Sequence, residues 1–163
     1  MKRGVGSLLA ALSIVSAQDL FACGDRFIFS GSNSRLERAA TPGVLANVLI
    51  YRDAETDPTS VMFDPALPEV LAEVGHTPSV ADRPDELVES ARGADVVLVE
   101  YRSAPAVRES IRASGGGSIV VPVLDRAARK NLSAAKREFG VVLNVPASAA
   151  TLIRAIDRAL AAR

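Results

Sequence analysis

The stretch Ala94-Asp95-Val96-Val97-Leu98-Val99-Glu100 decides how the rest of the chain is read. Four consecutive aliphatic residues, three of them β-branched, stand between polar neighbours, which is the composition of a strand covered on both faces. Such strands belong to parallel sheets flanked by helices, so their apolar runs need not alternate. In open α/β sheets the reactive and binding groups collect where these strands end. Glu100 stands at that position and is the first candidate site residue.

Outward from this stretch, segments of the same kind recur at regular intervals. Residues 47–51, 77–80, 118–123 and 141–143 have strand composition. Helical stripes lie between them. Leu67, Val70, Leu71 and Val74 keep i, i+3, i+4, i+7 spacing within residues 65–74, and Gly75 is placed to end that helix. Asp82 is positioned to cap a second helix with Pro84 in its first turn, leaving Leu87, Val88 and Ala91 to face inward. Ser103 opens a third helix over residues 103–114, stopped by Gly115-Gly116-Gly117. Asp125 opens a long fourth helix to Phe139 with Gly140 as its stop, and Ser148 caps a last helix carrying Leu152, Ile153, Ile156 and Leu160. Five strands alternating with five helices predict an α/β doubly wound parallel sheet with helices on both faces, in the flavodoxin-like order 2-1-3-4-5.

Composition narrows the functional classes. A chain of 163 residues with 48% hydrophobic content has enough apolar material for one domain's core. Lys+Arg and Asp+Glu are balanced at 19 each, so no overall field attracts nucleic acid, and none is expected as a partner. Trp is absent and aromatics make up 4%, which leaves few platforms for stacking bases, sugars or a flavin. No cofactor is expected.

The first residues point to export. Met1-Lys2-Arg3 gives a positive start, residues 5–17 are small and apolar, and Val15-Ser16-Ala17 supplies the small residues a signal peptidase needs. That run of about 13 residues is short of the roughly 20 a membrane-spanning helix requires. The expectation is a signal peptide at 1–17, an extension at 18–43 and the α/β domain at 44–163, in a periplasmic or extracellular protein not inserted in the membrane. Cys23 is the single cysteine, which rules out an internal disulfide. Leu20-Phe21-Ala22-Cys23 loosely resembles a bacterial lipobox, although Gln18 and Asp19 interrupt the apolar region before it. Cys23 is therefore a candidate for lipidation or for an intermolecular thiol contact.

The domain resembles the receiver domains of bacterial two-component signalling. Asn47-Val48-Leu49-Ile50-Tyr51-Arg52-Asp53 is similar to the first strand with its terminal acidic pair, and residues 94–100 to the strand ending in the phospho-acceptor aspartate. Leu71-Ala72-Glu73-Val74-Gly75-His76 resembles the end of the family's first helix. Val142-Leu143-Asn144-Val145-Pro146, followed by residues 152–157, resembles the last strand, Lys-Pro turn and last helix. The resemblance implies a Mg2+ site built from the acidic pair and the acceptor carboxylate, hard oxygen ligands of the type that cation requires.

The site residues depart from that pattern. Arg52 takes one position of the acidic pair, Glu100 replaces the acceptor, Leu124 replaces a hydroxyl residue and Val145 replaces the lysine. Only Asp53 matches. Without the hydroxyl and the lysine, an incoming phosphoryl group loses the donors that would neutralise it. A static pair between Arg52 and Glu100 or Asp53 is expected in place of the metal. The whole reads as a degenerate receiver, not an enzyme and not phosphorylated, acting through a protein partner or a second copy. The alternative is a small ligand-binding domain or enzyme using a pocket around Asp53 and Glu100.

Two further features carry weaker signals. Arg126, Lys130 and Arg137 fall within one arc of the fourth helix, with Arg129 and Lys136 on the adjacent stripe, a candidate partner face. His76, the single histidine, is expected to be a surface or half-buried loop residue, since one His without Cys makes no metal set.

Overall fold

The computed structural model describes residues 42–163; the expected signal peptide, Cys23 and the extension up to residue 41 lie outside the described residues. The strands are β1 (Asn47–Tyr51), β2 (Thr77–Ala81), β3 (Val96–Glu100), β4 (Ile119–Leu124) and β5 (Leu143–Asn144). All pair in parallel in the order β2-β1-β3-β4-β5, the order expected from the alternating segments. The intervening helices are α1 (Ala66–Glu73), α2 (Pro84–Ala91), α3 (Ala104–Ala113), α4 (Leu132–Phe139) and α5 (Ala149–Ala161).

The period-two alternation of the strands divides the core between the two faces of the sheet. Val48, Ile50, Val96 and Leu98 pack with Leu67 and Leu71 of α1 and Leu152 and Ile156 of α5. Leu49, Tyr51, Val97 and Val99 pack on the other face with Leu87 of α2 and Val107 and Ile111 of α3. Val96, Val97 and Leu98 are wholly inaccessible, so β3 is the centre of both layers.

Four local expectations are corrected. The fourth helix is not continuous from Asp125: a 3-10 turn at Ala128–Asn131 precedes α4. Asp125 is still an initiator, because its Oδ1 accepts the Ala128 amide at 2.6 Å, but what it closes is that turn. Ser103 and Asp82 occupy or approach helix starts without capping them, as their side chains are committed elsewhere. β5 begins two residues later than expected, since the chain leaves α4 through Gly140 at φ 75° and only reaches sheet register at Leu143. His76 is neither exposed nor half-buried. Gly75, at φ 93°, turns the chain so that His76 is buried with 4% exposure, its Nδ1 accepting the Ala46 amide at 3.2 Å.

Candidate functional site

The parallel order brings the ends of β1, β3, β4 and β5 to one rim, and the five sequence-identified positions all lie there. Arg52 and Asp53 follow β1, Glu100 ends β3, Leu124 ends β4 and Val145 follows β5. Backbone bonds fix the rim: the Arg52 amide donates to Ala81, the Tyr101 amide to Val123, and the Val145 amide to Leu124.

Arg52 does not form the expected pair with Glu100 or Asp53. It turns outward, donating from Nε and a terminal nitrogen to both oxygens of Asp82 at 2.6 and 2.8 Å, with its guanidinium 4.9 Å from the ring centre of Phe63. The reason is geometric. β2 is the neighbour of β1 on the side away from β3, and the Arg52 amide bonded to Ala81 brings the guanidinium beside the next residue, where a planar fork matches a carboxylate.

Asp53 is bound into its own loop. Its Oδ1 accepts from the Glu55 amide at 3.0 Å and the Thr56 hydroxyl at 2.9 Å, while the Ser103 hydroxyl donates to Oδ2. The Asp53 amide in turn donates to the Thr56 hydroxyl oxygen, and Thr56 is buried. Burial alone would raise the Asp53 carboxyl; the bonds from Ser103, Thr56 and the backbone outweigh it and hold the group below its usual range.

Glu100 has the opposite environment. Burial, together with the like charges of Asp125 and Asp53, pushes its carboxyl up, against the smaller opposing influence of the Ser60 hydroxyl and the charge of Arg102. It faces an open cleft of about 470 Å³ whose walls include Asp57, Ser60, Val61, Asp125, Arg126, Val145 and Pro146. Asp53, Arg52 and Leu124 are not among the lining residues, so the expected pocket around Asp53 and Glu100 is a cleft around Glu100 alone. Leu124 is fully buried beneath the rim, and Val145 contributes an apolar wall.

The Mg2+ site implied by the receiver resemblance does not fit these residues. Both oxygens of Asp53 are engaged, Arg52 has turned to Asp82, and among the described residues no three His, Cys, Asp or Glu side chains converge to hold a metal. Sequence reasoning missed Asp82, Ser103, Thr56 and Asp125 as members of this rim. The spacing Asp53-x-x-Thr56 is the signal that could have found one of them, since it is a side-chain-bonded turn pattern. The candidate face of Arg126, Arg129, Lys130, Lys136 and Arg137 is exposed throughout, but the 3-10 turn prevents it from being one helical arc. Arg126 points to the cleft lining, and Arg129 donates to Asn144 Oδ1 at 3.4 Å.

No protein-family model and no curated protein matches the chain. A crystal structure of NtrX from Brucella abortus, solved in complex with ATP, is similar with a TM-score of 0.58 and 20% identity, covering 73% of this chain and 27% of that one. The chain thus spans about a quarter of NtrX, a response regulator receiver domain protein, and at this identity the likeness shows the fold alone. The fold is receiver-like. Among the described residues, no helix is long and apolar enough to cross a membrane.

Proposed function

We propose that this chain is a degenerate receiver: a non-catalytic, exported protein-interaction module that is not phosphorylated. The observation that carries this reading is the state of Asp53, the one acidic-pair residue that matches the family, whose two oxygens are consumed by Glu55, Thr56 and Ser103. A carboxylate satisfied by three donors has little left for a cation, and the neighbouring Arg52 has been given to Asp82. The signal-peptide pattern at residues 1–17 supports export to a periplasmic or extracellular compartment, with Cys23 as a lipid-anchor or thiol alternative. Incubation with Mg2+ and acetyl phosphate, read by intact mass, tests it. An unchanged mass is expected, and a phosphoryl adduct on Glu100 or Asp53 overturns it.

The face for a protein partner or second copy is the exposed basic surface of Arg126, Arg129, Lys130, Lys136 and Arg137. With no net charge on the whole chain, a local cluster of this kind is what an acidic partner surface would meet. Replacing Arg129 and Lys130 by Glu should abolish self-association in light scattering and capture of acidic partners; unchanged association removes this face from the reading.

A second reading rests on the cleft. Glu100 is part-buried, carries no ion pair among the described residues and faces about 470 Å³ of open space, so a small ligand with a cationic group fits the lining. Saturable binding of an amine or guanidinium compound that is lost in E100Q would favour this reading over the interaction module.

A further inference from the structure

His76 and Asp157 hold the stretch that leads into β1, and neither has a role at the strand-end rim. The Gly43 amide donates to Asp157 Oδ1 of α5 at 3.0 Å, and the Ala46 amide donates to His76 Nδ1 at 3.2 Å. Between these two points Val44 and Leu45 are 57% and 66% exposed, so within residues 43–46 only the small Ala46 side chain is buried in the core. The Ala46 carbonyl then accepts from the Thr77 amide, the first bond joining it to β2.

An imidazole that accepts at Nδ1 must be neutral with its proton on Nε2. Nε2 has no hydrogen-bond partner among the described residues although the side chain is buried, so the ring is held through Nδ1 alone. Protonation would place an N–H at Nδ1 facing the Ala46 N–H, donor against donor. Burial acts against that charged form, so His76 stays neutral at neutral pH, with the opposing pull of Asp157 the smaller influence. Asp157 on α5 is the charged group bearing on the ring; the end of α1 contributes the Leu71 carbonyl, which takes the His76 backbone amide, and the stretch before β1 contributes the Ala46 amide.

We propose that residues 43–46 form an acid-released clasp: protonation of His76 breaks its bond to Ala46, turns the imidazolium towards Asp157, and frees the stretch joining the N-terminal residues to the domain. A group that titrates more easily when open than when buried couples proton uptake to opening, and the opening constant rises about tenfold per pH unit between the two pKa values. Local opening of this kind leaves the sheet centre closed.

The test is NMR on the full chain between pH 7.5 and 5, following the His76 ring and intrinsic-rate-corrected amide exchange at Ala46 and Thr77. Exchange at both should be flat above about pH 6.5, where even an opened imidazole is neutral, and should accelerate up to about tenfold per pH unit as pH falls below it, while Val97 and Leu98 stay protected. H76Q, which keeps an acceptor without the titration, should show no such acceleration. If H76Q does not fold, the wild-type titration alone decides. Flat Ala46 protection while the ring protonates overturns the clasp, and so does a ring that titrates only when Val97 and Leu98 lose protection.

Discussion

The loop after β1 and the cleft beyond β3 begin from the same circumstance, a carboxylate delivered to the rim by adjacent parallel strands, and arrive at opposite states. Asp53 is surrounded by donors and held below its usual pKa, whereas Glu100 stands beside Asp125 and Asp53 and is pushed above its own. The first is part of the scaffold. The second keeps unspent charge facing open volume. Here they are separated by bonding, not by distance along the fold: Ser103, only three residues past Glu100, has been recruited to Asp53. Two carboxylates delivered to one rim can thus differ entirely in role, because one is satisfied locally while the other is left open.

The change with the largest expected effect removes what both regions share. Leu98 is wholly buried at the centre of β3, so Leu98→Ala should cost about 2–5 kcal/mol in urea unfolding, weakening the Asp53 loop and the Glu100 cleft alike. Next comes a change confined to the closed region. Asp53→Ala strands the Glu55 amide and the Thr56 and Ser103 hydroxyls, with an expected loss of about 2 kcal/mol. That loss should shrink in acid. The folded Asp53 pKa lies below the unfolded one, so its contribution is present above about pH 3.9 and fades as pH falls through the folded value. A loss independent of pH would mean Asp53 acts through packing and not through its charge. Smaller again is Arg52→Ala, which removes a two-pronged but partly exposed pair with Asp82 and the contact with Phe63, for about 1 kcal/mol with clear salt dependence.

The fold was largely legible because its signals are local and repeated. The aliphatic run of residues 96–99, the stripe of Leu67, Val70 and Leu71, and Gly75 and Gly140 as stops each follow from neighbours in sequence. The rim positions were legible for the same reason, since a residue at the end of a parallel strand is placed by the strand. Their partners were not. Asp82 and Ser103 both looked like helix caps, a role set by local spacing, but each found a stronger partner across the sheet, Arg52 for one and Asp53 for the other. His76 was misjudged in the same way, because a loop position said nothing of the Ala46 amide thirty residues earlier.

The smallest expected effect has the opposite sign, and it separates the two carboxylates most clearly. Glu100→Gln removes a charge that burial and its like-charged neighbours disfavour, so the variant should be slightly more stable than the wild type at pH 7. The gain should stay below about 1 kcal/mol, since solvent screens a part-buried group. The folded pKa of Glu100 lies above the unfolded one, so the folded state binds more protons between them and the wild type loses stability as pH rises through that window. The advantage of the variant is therefore full above the folded pKa and vanishes below about pH 4.3, where both forms of the wild type are protonated. Urea midpoints at pH 7 and pH 4 read this directly. A loss of stability at pH 7 would mean that the favourable influence of the Ser60 hydroxyl and the Arg102 charge outweighs the burial and repulsion, and Glu100 would then belong with Asp53 as a second structural carboxylate.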